Sequence, residues 1–425
     1  MKILKNLVYL KIALYGLLAK VVQLALNLVF GPREADKSSN KLRSYDVLYD
    51  WKCTEMQPQG PEWFALRYTG LKEIGCIERS DVTFYCKRGK DFVFVRTQSG
   101  VDIHDTAQFP FLYISKHKYA EEVLVVGADV VMDYLRATGK WDRDGSNIGL
   151  LHNIGRCGST LLTNMVQKTQ QCVVLSEPIS LLEVTKEFGE RGVPVAPEST
   201  DECELVKTMF LLLTPDPTKR YFIKTHSQVA FLMPICHALF PEMRETFMHR
   251  ALRPTITSFK RAFLDGLNSL PFSFVEGFLT PYLSATLKSF WREIRVEDAE
   301  HLMVYMTLAT VQLYLTETIS REDMRSFSYE SLLEDREGFT TAYLREIGLG
   351  AEHVPAALTA METDSQKNSA LRKSKLSKNA TGASEKALEW GREIGARMGV
   401  RLEGPEYEFA NLAHGWNEQE QDDMQ

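Results

Sequence analysis

Cysteine is scarce and scattered: the seven in 425 residues form no CxxC pair and no zinc-type spacing with histidine. An odd count in so long a chain does not make a disulfide framework, so these read as thiols. Basic residues are not in excess either, since the formal net charge is −6. That excludes the broad cationic surface that a nucleic-acid backbone requires. The chain lacks an internal repeat, and its 44% hydrophobic and 25% charged residues sit at the averages of globular proteins. Neither a disordered chain nor a polytopic membrane protein is indicated.

What is present begins with an unusual N-terminus. Residues 3–30 are mostly apolar but are interrupted by Lys5, Lys11 and Lys20. At helical spacing Lys2, Lys5, Asn6, Tyr9, Gly16, Lys20, Gln23 and Asn27 share one stripe, with Lys11 the exception, which predicts an amphipathic helix. Three placements compete: in a membrane interface, across a membrane as a type II signal anchor, or on the protein's own body. A central Lys costs about 2.5–3.5 kcal/mol on insertion scales, which favours the interface over a clean span. The expectation is a membrane-associated protein, on the cytoplasmic face of a membrane or anchored in the Golgi. No small-residue cleavage site follows the apolar run.

Residues 31–40, polar and containing Gly31-Pro32, read as a linker. Residues 41–145 read as a small α+β subdomain: VTFYC and FVFVR flank Lys87-Arg88-Gly89-Lys90 as a hairpin, and residues 119–138 carry apolar side chains at helical spacing. From residue 146 to 415 short apolar strands alternate with helices, the grammar of a parallel sheet with crossovers. IGLLHN, CVVLSEP, YFIKTH, ETFMHR and MRSFSYE are the strand candidates, with helices over 160–169, 231–239, 255–264, 298–319 and 336–347. Residues 416–425, acidic and amide-rich, read as a disordered tail.

Three stretches carry chemistry. Gly155-Arg156-Cys157-Gly158-Ser159-Thr160-Leu161 lies directly between a strand and a helix. Its glycines let amides point inward, the helix adds its positive end, and Ser159 and Thr160 add hydroxyls, which together describe a phosphate site. Neither glycine is followed by the Lys-Ser or Lys-Thr of a Walker A loop, so an ordinary ATPase is disfavoured. In YFIKTH, Lys224 and His226 stand two apart at a strand end, where a neutral imidazole can accept a hydroxyl proton. Glu177 in Ser176-Glu177-Pro178 is a rival base at another strand end. In the third stretch, Arg250 offers a planar fork suited to a terminal phosphate, and Ser258 a hydroxyl.

Over residues 147–348 these stretches resemble the sulfotransferase superfamily, whose donor is 3′-phosphoadenylyl sulfate. Arg156-Cys157-Gly158-Ser159-Thr160 looks like that family's 5′-phosphosulfate loop, FIKTH is similar to its Lys-Thr-His stretch, and Arg250 and Ser258 keep the spacing of its 3′-phosphate pair. FSYESLLEDREGFTTAYLREIGL is similar to its later strand and helix. The resemblance implies a P-loop-type α/β fold, transfer of a sulfuryl group to a hydroxyl on a small molecule or glycan, His226 as base, and no metal. Departures exist: Pro254 follows Arg250 by four residues rather than two, and the Arg-Lys-Gly and Gly-Asp-Trp-Lys segment is missing. Lys367, Arg372, Lys373, Lys375 and Lys378 form a basic run in its place, and Asn379-Ala380-Thr381 is a glycosylation sequon. The competing readings are a phosphotransferase on the same scaffold and a non-catalytic, membrane-attached nucleotide-binding protein. Neither the acceptor nor the oligomeric state is legible.

Overall fold

The computed structural model describes residues 2–33, 36, 40–52, 60–191, 200–264, 298–318, 324–368, 382–403 and 406–407. The sequon, the acidic tail and, within the basic run, Arg372, Lys373, Lys375 and Lys378 lie outside the described residues.

Two sheets organise the chain. The first is antiparallel, with β1 (Leu42–Asp50), β2 (Phe64–Lys72), β3 (Val82–Arg88), β4 (Asp91–Thr97) and β5 (Ala120–Gly127) in the order β2-β1-β5-β4-β3. The expected hairpin is β3–β4, where Arg88 pairs with Asp91 and Gly89 turns at φ 55°. Residues 120–127, expected as part of a helix, form a strand instead. Val123, Val125 and Val126 are β-branched, and β5 pairs on both edges, with β1 and β4, so sheet context overrides the helical spacing. Short α2 (Leu112–Lys118) precedes β5, and α3 (Ala128–Ala137) follows it.

The second sheet is parallel throughout and comprises the five expected strands. They are β6 (Ile148–Asn153), β7 (Val173–Ser176), β8 (Tyr221–Lys224), β9 (Arg244–His249) and β10 (Arg325–Ser328), ordered β10-β9-β6-β8-β7. After β6 comes α4 (Ser159–Thr169), after β7 α5 (Ile179–Arg191) and α6 (Thr200–Leu213), and after β8 α7 (Met233–Leu239). After β9 come α8 (Leu252–Phe259) and the long α9 (Ala299–Thr318); α10 (Tyr329–Glu334) and α11 (Arg336–Glu346) follow β10. The chain steps from β6 out to the edge strand β7 and back to β8 on one side, then crosses to β9 and β10 on the other. Strand order therefore reverses beside β6, and ligands of open parallel sheets bind at the carboxyl ends there.

Alternation along the strands divides the core. Leu150, Leu175 and Ile223 join Phe84, Phe92, Phe94 and Leu124 of the antiparallel sheet in one buried cluster, which therefore runs across both sheets. On the other face Leu151, Val174 and Phe222 pack with Leu162, Met165 and Val166 of α4.

The N-terminal helix α1 (Lys2–Phe30) is present, but its placement corrects the membrane expectation. Among the described residues no helix is long and apolar enough to cross a membrane. Instead α1 lies along the edge strand β2: the Gln23 amide accepts from Leu66 N at 2.7 Å and donates to Leu66 O at 3.1 Å. Ala19 is buried there, and a methyl on Gly16 would touch Trp63 at 3.4 Å. Gln23 of the polar stripe thus satisfies both backbone groups of Leu66 on a sheet edge whose unpaired groups otherwise invite association.

Candidate functional site

The loop after β6 is built from left-handed residues. Gly155 (φ 75°), Arg156 (φ 54°) and Gly158 (φ 87°) turn the backbone sharply, and left-handed residues of this kind are what allow successive amides to point to one side. Glycine at 158 is also forced from outside, because a Cβ there would lie 2.4 Å from Tyr329 Cδ2. Asn153, the last residue of β6, holds the loop: its Oδ1 accepts from Gly155 N at 2.9 Å and Ser159 Oγ at 3.4 Å, while Nδ2 donates to Thr225 O at 2.7 Å. Gly158 caps α4 without a side chain over its first-turn amides. Ser159 and Thr160 are buried beside them, Leu161 is half-buried against the core, and burial pushes the Cys157 thiol up.

Two arginines meet beside this loop. Arg156 donates through Nε to Ser258 Oγ at 3.0 Å and through Nη1 to Gln366 Oε1 at 3.2 Å. Arg250 Nη1 donates to the Arg156 carbonyl at 3.4 Å, and its guanidinium lies 4.6 Å from the Tyr329 ring centroid. Arg250 Nε is buried and makes no hydrogen bond among the described residues, with Glu330 Oε1 standing 4.0 Å away. Burial first, then the Arg250 cation, lowers the pKa of Arg156. Paired, part-buried guanidiniums are favourable only with an anion between or beside them. Pro254 falls in the first turn of α8, where a ring and a missing N–H are tolerated. The expected pairing of Arg250 with Ser258 is thus a three-way cluster in which Arg156 holds the hydroxyl.

At the ends of β7 and β8 stand Glu177, Lys224 and His226. Lys224 is buried; its ammonium donates to Glu177 Oε1 and sits 5.5 Å from the Phe111 ring centroid. Glu177 adopts a left-handed φ of 53°, and its N–H donates to Lys224 O at 2.8 Å. Burial alone would raise the Glu177 carboxyl, but Lys224, His226 and Arg156 outweigh it and hold the group below its usual range. Burial lowers His226, with Lys224 adding to that and Glu177 and Gln228 opposing it. His226 Nδ1 is buried with no hydrogen bond among the described residues. The antiparallel region reaches this cluster, since Ser176 Oγ donates to Pro110 O at 2.6 Å.

Sequence reasoning missed Asn153, Tyr329, Phe111 and Gln366. Asn153 left a signal, as a polar residue ending an otherwise apolar strand. Tyr329 stood inside the FSYESLL stretch without a role, whereas Phe111 and Gln366 come from segments distant in the chain and left none.

No protein-family model matches the chain, and neither does any curated protein. Among solved structures it is similar to the sulfotransferase domain from the curacin biosynthetic pathway, at 14% identity over 60% of this chain and 98% of that one, with a TM-score of 0.34. It is also similar to retinol dehydratase in a complex with retinol and PAP, at 15% identity over 61% and 84%, with a TM-score of 0.35. A third similarity is to sulfotransferase STF9 from Mycobacterium avium, at 12% identity over 64% and 82%, with a TM-score of 0.39.

Proposed function

We propose that the chain is a sulfotransferase that takes a sulfuryl group from 3′-phosphoadenylyl sulfate and delivers it to a hydroxyl acceptor. One observation carries this reading: the left-handed loop, Arg156, Arg250 and Ser258 converge on one place beside the Lys224–Glu177–His226 cluster. The loop amides and Thr160 suit the 5′-phosphosulfate, and Arg250, with an unspent buried Nε, suits the 3′-phosphate.

His226, kept neutral by burial, accepts the proton of the acceptor hydroxyl. The acceptor oxygen then forms its bond to sulfur as the bond from sulfur to the bridging phosphate oxygen breaks, and the nucleotide bisphosphate leaves with that electron pair. Lys224, Arg156 and the loop amides face the charge that builds on the bridging oxygen, a preorganised effect of about 2.7–4 kcal/mol per donor. Glu177 is ionised and engaged by Lys224, which suits it to orienting that cation rather than to taking a proton.

The test is the melting temperature of the full chain titrated with 3′,5′-adenosine bisphosphate and, separately, with ATP, followed by transfer of labelled sulfate to a library of hydroxyl acceptors. Stabilisation by the bisphosphate at saturation is expected to reach about 2.7 kcal/mol at a hundred times its Kd. Stabilisation by ATP alone would assign a phosphotransferase; bisphosphate binding without transfer to any acceptor would assign a non-catalytic binder.

A further inference from the structure

Gln366 lies 210 residues from Arg156 in the chain, yet its side chain sits in the loop region. Its Oε1 accepts from Arg156 Nη1 at 3.2 Å, and its Nε2 donates to Thr160 Oγ1 at 3.4 Å. The surrounding segment is tied down at both ends. Asn164 Nδ2, one turn further along α4, donates to Ser365 O at 3.4 Å, and Asn368 Nδ2 donates to Ala107 O at 2.9 Å, next to α2. Asp364 Oδ1 accepts from Gln366 N at 3.1 Å and fixes the turn that aims the side chain. Residues 364–368 therefore form a strap from the phosphate-loop helix to the antiparallel region.

We propose that Gln366 is an internal stand-in for the donor's anionic oxygens and closes the donor site until the nucleotide displaces it. The inference rests on the donor-site reading above. A neutral amide oxygen fills the position at Arg156 that a phosphate or sulfuryl oxygen takes, and the amide N–H engages Thr160 Oγ1, which the loop otherwise offers to the same ligand. An amide is the side chain for this task, because a carboxylate would hold Arg156 more tightly and be harder to displace, and an alkyl group would leave Nη1 without this acceptor. Nucleotide and Gln366 compete for the same groups, so apparent affinity is the intrinsic affinity scaled by the fraction of molecules in which the strap has let go.

Calorimetric titration of the full chain with 3′,5′-adenosine bisphosphate, for wild type, Gln366→Ala and Gln366→Glu, tests this. Gln366→Ala is expected to bind about three- to tenfold tighter, and Gln366→Glu about tenfold weaker, since its carboxylate both holds Arg156 and repels phosphate. A structural role for Gln366 would shift both variants in the same direction, and weaker binding by Gln366→Ala would make the residue a nucleotide ligand; either result overturns the proposal. If wild type binds and Gln366→Ala binds no tighter, the stand-in alone fails. If no variant binds, the donor-site reading falls with it.

Discussion

The Lys224 ammonium and the Glu177 carboxylate form an ion pair across the carboxyl ends of two neighbouring parallel strands, at side-chain exposures of only 3% and 16%. Register makes the pair: Ser176 lies opposite Lys224, so the next residue of the chain turns over the end of β8 onto it. Removing one partner of such a pair leaves an uncompensated buried charge. Lys224→Met is expected to cost about 3–5 kcal/mol. The double variant Lys224→Met/Glu177→Leu should recover most of that loss in urea unfolding, and a double variant as unstable as the single one would show that the pair is not the unit involved.

His226→Ala should lower kcat by about 10²–10⁴ while leaving the Kd for 3′,5′-adenosine bisphosphate unchanged. The neutral imidazole is the active form and its folded pKa lies below 6.5, so kcat/KM should be lost as pH falls through that lowered value and be flat near neutrality. Glu177 titrates below 4.5, so activity that persists undiminished toward that pH would move the proton acceptor to Glu177.

Gly158→Ala places a methyl 2.4 Å from Tyr329 Cδ2 on a residue at φ 87°. The ring that must yield is the one against Arg250, so the substitution disturbs both ends of the site. Nucleotide binding should be abolished, with a stability loss of about 1–3 kcal/mol from the backbone alone. Adding Tyr329→Ala should restore binding in part, because it removes the clash and leaves the strain. Wild-type affinity in Gly158→Ala would remove the loop from the binding site.

Burial holds His104 down to about 4 and His249 down to about 3, and lowers His117 and His226 as well. The unfolded chain takes up those protons below pH 6.5 while the folded one refuses them, so the stability these groups contribute is present above 6.5 and lost as pH falls. Glu183, raised to about 7 by burial, acts oppositely: its contribution is present below 4.5 and lost as pH rises through about 7. Against that single group, His104 and His249 alone leave a net loss of roughly 1.4 kcal/mol per pH unit on acidification. Urea midpoints at pH 6.5 and pH 5 measure it, and His249→Gln should flatten the slope. Equal midpoints at the two values would contradict the burial of these imidazoles.

The parallel sheet was legible because β6, β7 and β8 are short apolar runs rich in Val, Ile and Leu, while β9 and β10 each keep a buried Phe in a short segment between helical patterns. The segment 120–127 misled because its Val and Leu side chains satisfy helical spacing as well as strand alternation, and only pairing with β1 and β4 on both edges decides between them. The N-terminal helix was legible as a helix and as amphipathic, yet its partner was not: the edge of β2 that Gln23 occupies exists only after the antiparallel sheet has formed.

By itself the sequence determined the loop, since glycines beside a strand end need no distant partner to adopt left-handed backbone, and it determined which residues could carry charge or a proton. Only the tertiary structure decided what those groups face. Tyr329 explains why residue 158 is glycine, Gln366 occupies Arg156, and Phe111 roofs Lys224, each arriving from a separate segment by packing. Local conformation follows from neighbours along the chain, whereas the charge and burial that set a side chain's chemistry follow from neighbours in space.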